Sequence, residues 1–352
     1  MSHPQTGPAP RARSSRKRWL ALVLSLLASL IGAELLVRGW LGSPLKERLP
    51  ILFVRANKKR GWEMVPGREH YTYEHRVAVN ALGLRGAELA AKAPDERRIL
   101  FLGDSLTYGQ GVGDEETVPA ALEQALEKHA PRVRWRVVNA GVRAYGTSQE
   151  LGLLEELGAR IAPEVVLLGW YWNDVSERPI ADTYAEFLPR GEFAFDTGNR
   201  LEGLDGLRWR VQELLRRSAL LMLAHDLVST KGTLYAPEVH EQGMRRLEEQ
   251  LGRFAALCGE LAATPVVVIF PDRHCLTGAE DTRPFEERAA ALGRARGLVV
   301  VELLPALVAL YQRSHSVPIL PFDGHYDPAA NAAMGRFLAE GLAGAKVLER
   351  GE

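Results

Sequence analysis

The stretch Gly103-Asp104-Ser105-Leu106-Thr107-Tyr108-Gly109 sets a serine directly after a short apolar run, residues 98–102 (RILFL). Such a run reads as a buried strand, and ligand sites in open α/β sheets gather at the carboxyl ends of strands. A serine there can present its hydroxyl to a crevice, although Gly, Asp and Ser are also ordinary turn formers. A serine hydroxyl is a poor nucleophile until a base, usually a histidine held by a carboxylate, takes its proton. Of the nine histidines, His3 lies in the tail, His70 and His75 in a polar linker, and His129, His225 and His240 on expected helices. His274 and His315 fall in loops and stay open. His325 is set apart by Phe322-Asp323-Gly324-His325-Tyr326-Asp327-Pro328, between the last strand and the last helix. Asp327 before Pro328 reads as a helix N-cap and first position. That leaves Asp323 to orient the imidazole, with a tight Asp-Gly turn as the competing reading.

Acyl transfer also needs donors for a developing oxyanion. Gly141, in Asn139-Ala140-Gly141, can bring a backbone N–H close because it has no side chain. Asn173, in Trp170-Tyr171-Trp172-Asn173-Asp174, can offer an amide N–H. Taken singly, these are a turn glycine and a loop asparagine. Trp170, Trp172 and Tyr108 adjoin these loops and are expected at the substrate site; core packing is the alternative for the tryptophans.

These residues must be positioned by a βαβ rhythm. Apolar runs at 98–102, 135–139, 164–170, 265–270 and 298–303 read as five strands. They are short, continuous and β-branched, which suits parallel strands covered on both faces by helices. The fold class is therefore α/β with a five-stranded parallel sheet. Residues 118–129 read as an amphipathic helix. Thr147-Ser148-Gln149-Glu150 has the spacing of a capping box opening a helix that runs to 161. A helical insertion spans about 175–262. The expected organisation is a basic tail (1–18), an apolar helix (19–40), a linker and β-rich extension (41–96), and a main domain (97–346).

The tail carries five bases and no acid; residues 19–33 then run without a charge, and only Glu34 interrupts the apolar stretch before Arg38. Residues 19–37 are long enough to cross a bilayer at ~1.5 Å per residue. A basic front edge before an apolar run fits a signal peptide or signal anchor. Ile31 is a poor −3 residue for cleavage after Ala33, so an anchor is expected, with one span in the cytoplasmic membrane and the main domain outside the cytoplasm. The 44 Lys and Arg balance 44 Asp and Glu, which argues against a nucleic-acid partner. Two cysteines, Cys258 and Cys275, exclude a disulfide scaffold and a cysteine-based zinc site, and leave their own pairing open. No cofactor or metal is expected.

Four ordered blocks, GDSLTYG, NAG, WYWND and DGH, resemble those of the SGNH hydrolases, or GDSL-type esterases, in the membrane-anchored bacterial form. The resemblance spans 97 to about 345. It implies a flavodoxin-like three-layer α/β/α sandwich, with Ser105 as nucleophile, His325 as general base and Asp323 as its partner. The oxyanion hole would be Ser105 N–H, Gly141 N–H and the Asn173 amide, with Asp104 bracing the nucleophile turn. The usual last block is D-x-x-H; here Asp323-Gly324-His325 is D-x-H, a spacing that resembles membrane-associated polysaccharide O-acetyltransferases. The implied function is a serine esterase on an acetylated glycan or lipid ester. The alternatives are an O-acetyltransferase working with a multi-span membrane partner, and a non-catalytic glycan-binding module. Residues 79–86 (VNALGLRG) also resemble a segment of the anchored members.

Overall fold

The computed structural model describes residues 15–49, 51–129, 133–195, 203–228, 237–277 and 283–349. The start of the basic tail, with His3, Arg11 and Arg13, lies outside them. The chain opens with α1 (Ser15–Leu41) and two small antiparallel pairs, β1 (Phe53–Asn57) with β2 (Gly61–Met64), and β3 (His70–Thr72) with β4 (His75–Val77). Then follow β5 (Glu96–Gly103), α2 (Ser105–Tyr108), α3 (Val118–His129), β6 (Arg134–Gly141), α4 (Thr147–Ile161) and β7 (Val165–Trp170). Next come α5 (Ile180–Phe187), β8 (Phe193–Ala194), α6 (Gly203–Arg216), α7 (Ala219–Val228) and α8 (Pro237–Glu260). The chain ends with β9 (Thr264–Ile269), α9 (His274–Thr277), α10 (Arg283–Ala295), β10 (Val299–Glu302), α11 (Leu304–Ser314) and α12 (Pro328–Gly344).

The main sheet is parallel, in the order β10-β9-β7-β5-β6. That is the flavodoxin-like order, whose switch point lies beside the first strand, here β5. Alternate residues of β5 feed two cores. Ile99 and Phe101 pack with α3, α11 and α12; Leu100 and Leu102 pack with α4, α8 and α10. Both faces are dry, so the strands need no polar alternation. All five strands stand where the apolar runs put them.

Two expectations change. The insertion ends earlier than 262, because Met244, Leu247, Leu251, Phe254 and Cys258 of α8 are buried in the core. α8 is the crossover helix from β7 to β9, and its apolar stripe belongs to the sandwich. The α4 cap is Gly146 rather than Thr147: Gln149 Oε1 accepts from Gly146 N–H at 3.3 Å. Glu150, expected in the capping box, is instead fully buried. The N-terminal extension is tied to the insertion, since β8 adds to β1 as the third strand of the small sheet. Cys258 and Cys275 are unbridged. Within α1, residues 15–31 are exposed, and the helix is long and apolar enough to cross a membrane.

Candidate active site

β5 ends at Gly103, and the chain turns at once into the four-residue α2. Asp104 caps that helix, its Oδ1 accepting from Leu106 N–H at 2.8 Å. The turn lifts Ser105 out of the sheet while Leu106, Thr107 and Tyr108 stay buried. As the first residue of a helix, Ser105 has a backbone N–H with no intrahelical acceptor.

His325 reaches Ser105 from the opposite loop. Its Nε2 stands 2.8 Å from Ser105 Oγ, and its Nδ1 contacts Asp323 Oδ1. An ionised carboxylate only accepts, so Nδ1 carries the proton and Nε2 is free to accept from the hydroxyl. The D-x-H spacing works because Gly324 stands at φ +108; a Cβ there would fall 1.9 Å from an Arg273 nitrogen. That turn, closed by Leu320 N–H on His325 O at 2.8 Å, brings Asp323 beside the imidazole. His325 N–H also donates to Asp323 Oδ1, at 3.0 Å. His274, the other open histidine near a strand end, pairs instead with Asp272 at 2.6 Å.

Asp323 has two further partners that the sequence did not reveal. Tyr73, in the β3–β4 turn at φ +51, donates its hydroxyl to Asp323 Oδ2, and Gln110 Nε2 lies 3.4 Å from the same oxygen. Arg143 Nε in turn donates to Gln110 Oε1 at 2.7 Å. Burial works to raise the Asp323 carboxyl, but the bonds from His325 and Tyr73 outweigh it and hold it at about 2. No short-range pattern could have found Tyr73, which lies 250 positions from Asp323.

Gly141 departs from its expected role. Its N–H is engaged by Asn139 Oδ1 at 3.0 Å. Glycine is needed here for close approach, because a Cβ would lie 2.1 Å from Tyr108 N. Gly141 therefore lets α2 press against the end of β6. Asn173 is exposed beyond β7, and one of its amide hydrogens goes to Asp104 Oδ2 at 3.3 Å. An amide has two, so one donor remains beyond this bond.

The aromatic wall is not formed by the expected residues. Trp170 is 1% exposed and Tyr108 fully buried. The Trp172 indole N–H donates to Asp272 Oδ2 at 2.7 Å inside the core. Their apolar area is used in packing, as large rings in a two-faced sheet require. Ser105, Leu106, Gln110, His325 and Asn331 border a shallow surface hollow.

The segment 79–86 acquires a mechanism. Asn80 Oδ1 accepts from Leu82 and Leu84 N–H at 3.0 and 3.1 Å, folding a tight loop. The loop delivers Arg85, buried, to the carbonyls of Tyr108 (2.8 Å), Gly109 (2.7 Å) and Val112 (2.7 Å). The guanidinium also lies over the Tyr108 ring, 4.9 Å from its centre. It ties down the end of α2.

Behind α2 lie three buried carboxyls, Asp104, Asp174 and Glu150. Burial raises all three, and their mutual repulsion adds to the rise for Asp174 and Glu150. Among the described residues, no group of three or more His, Cys, Asp and Glu side chains could hold a metal ion.

No curated protein sequence matches the chain. Solved structures similar to it include an α/β hydrolase enzyme from the metagenome of Lake Arreo, at 16% identity and TM-score 0.44, covering 73% of this chain and 98% of that one. The lipase/acylhydrolase from Enterococcus faecalis is similar at 15% identity and TM-score 0.40, covering 71% and 96%. A mutant acetyl-xylooligosaccharide esterase from Geobacillus is similar at 13% identity and TM-score 0.42, covering 70% and 94%. The family model for the GDSL-like lipase/acylhydrolases matches residues 101–333, well over half of the chain and with all four blocks inside it. The chain belongs to the GDSL-like lipase/acylhydrolase family and is an ester-bond hydrolase.

Proposed function

We propose that the protein is a membrane-anchored serine esterase acting through Ser105, His325 and Asp323 on an acetylated glycan or a lipid ester. The observation that carries this reading is the imidazole bridging the serine hydroxyl and a carboxylate. His325 Nε2 takes the Ser105 proton as Oγ attacks the ester carbonyl. The same proton then goes to the departing alkoxide, giving an alcohol and an acyl-serine. A water, deprotonated by His325, releases the acid and restores Ser105. Asp323 holds the tautomer and stabilises the imidazolium. Ser105 N–H and the outer Asn173 amide hydrogen serve the oxyanion. With the Gly141 N–H engaged, we assign the third donor to Ala144, exposed in the next loop at φ +61. A non-glycine residue holds such a backbone at a cost, and such strain gathers at functional sites. The anchor is α1, with the catalytic domain outside the cytoplasm.

Fluorophosphonate labelling of the full-length chain in detergent tests the triad. Wild type is expected to label, and Ser105→Ala and His325→Ala to lose the label. A folded wild type that never labels would count against an activated serine, and so against this reading.

A further inference from the structure

The anchored reading places α1 in the membrane, yet α1 is not a free tether. Glu34, the one acid within its apolar run, reaches across to α7. Its carboxylate accepts from Ser218 Oγ (2.7 Å), Ala219 N–H (3.0 Å) and Leu220 N–H (2.9 Å). Arg38 Nε donates to the same carboxylate at 2.6 Å. Arg38 also donates to the carbonyl of Arg217. A glutamate on a membrane helix thus caps a second helix, with its charge matched by an arginine and a helix N-terminus. This clasp fixes where the α6–α7 hairpin sits along α1. From Trp19 to Glu34 is 15 residue steps, or ~22 Å of helix. With Trp19 at one edge of a hydrocarbon core of ~30 Å, Glu34 lies ~8 Å short of the other edge, the depth to which an interfacial helix sinks its apolar face.

The hairpin clasped at that depth carries uncovered apolar side chains. On α6, Leu204, Leu207, Val211 and Leu214 recur at steps of three and four, so they share one face, and all are exposed. Leu227 and Val228 extend the exposed apolar surface at the end of α7, at 78% and 81%. Arg208, Arg210, Arg216 and Arg217 are exposed on the same hairpin, Arg208 paired with Asp205 and Arg216 with Glu213 and Glu47. An apolar face flanked by arginines is the composition of a helix lying in a lipid interface.

We propose that α6 and α7 form a platform seated in the bilayer interface beside α1, so that the catalytic domain rests on lipid rather than swinging from a tether. The proposal rests on the anchored reading of α1. One consequence concerns access. A cleft of about 600 Å³ runs between this hairpin and the catalytic loop, with Leu45, Leu215, Met222 and Phe322 in its wall beside Tyr73 and Asp323. With the hairpin seated on lipid, that cleft lies at the membrane surface.

The test uses single spin labels in the full-length chain, reconstituted in vesicles of neutral and anionic phospholipid, on a Cys275→Ser background. Leu207→Cys, Leu214→Cys and Leu227→Cys report the platform, Leu24→Cys the span, and Glu340→Cys the water-facing side. The expected result is that platform labels follow Leu24, with loss of collision with a water-soluble nickel chelate and gain of collision with oxygen. Platform labels that follow Glu340 while Leu24 is in lipid would overturn the platform alone. Platform labels closed to both reagents would assign the face to a protein contact and overturn it as well. Leu24 exposed to the chelate would overturn the anchored reading itself.

Discussion

Replacing Arg85 by Met keeps most of the side chain's volume and removes the guanidinium. Four hydrogen bonds go with it, to the carbonyls of Tyr108, Gly109 and Val112 and to Asp114 Oδ1 at 2.8 Å. The Asp114 bond is worth little, because that side chain is 38% exposed; about 0.5 kcal/mol is a fair allowance. The carbonyls are buried. Tyr108 O keeps a second donor in Asn139 Nδ2 at 3.3 Å, and Gly109 O keeps a long one in Val112 N at 3.4 Å. Their loss is therefore set just below the range for charge-assisted bonds, about 1 kcal/mol each, and Val112 O within it, near 2 kcal/mol. The stacking over Tyr108 adds about 0.5 kcal/mol. The expected loss for Arg85→Met is thus near 5 kcal/mol, and for Asp114→Ala about 0.5 kcal/mol. Urea unfolding in detergent, followed by near-ultraviolet circular dichroism, measures both, with an unchanged denaturant slope as the condition for comparison. Folded Arg85→Met is also expected to label more slowly with a fluorophosphonate, because the turn bearing Ser105 is loosened. An Arg85→Met chain within 1 kcal/mol of wild type would refute the idea that this segment braces α2.

Three further outcomes follow from the geometry. Tyr73→Phe removes a donor from the Asp323 carboxylate and is expected to slow labelling about tenfold, the value of one such bond. Asp323 is depressed in the fold, so its contribution is present above about pH 4 and lost as pH falls through about 2. The variant should therefore lose activity and fold at a higher pH than wild type, read from the labelling rate and the acid transition; unchanged profiles would remove Tyr73 from the triad's support. Trp172→Phe strands Asp272 Oδ2 by one donor and should cost about 1–2 kcal/mol in urea. Its KM for a small aryl acetate should not change, and a raised KM at unchanged stability would return the ring to the substrate. Glu150 is raised in the fold by burial and by Asp174, so its neutral form is favoured at low pH and ionisation is penalised as pH rises. Glu150→Gln should gain melting temperature relative to wild type at pH 9 but not at pH 4; equal differences at both would show that Glu150 does not titrate with folding.

The five strands were legible in the residues alone, and so were the serine and histidine that the fold brings within 2.8 Å of each other. Buried parallel strands are apolar on both faces, so each of the five left a continuous run, and three of the four blocks stood at the end of one, the fourth lying between α11 and α12. Asp327 and Pro328 were legible too, since a cap is local: Asp327 Oδ1 accepts from Ala330 N–H at 2.8 Å. Other features depended on contacts far apart in the chain. Whether a tryptophan packs or faces substrate depends on which helix covers it, and α8 and the Asp272 loop covered Trp170 and Trp172. Gly141 looked like a donor, but only its packing against Tyr108 shows why it has no side chain. Tyr73, Arg85 and Glu34 carry no motif that names their targets. Each acts across a long sequence separation, on Asp323, on the end of α2 and on α7, and such a contact exists only once the sheet and its helices have brought the two segments together.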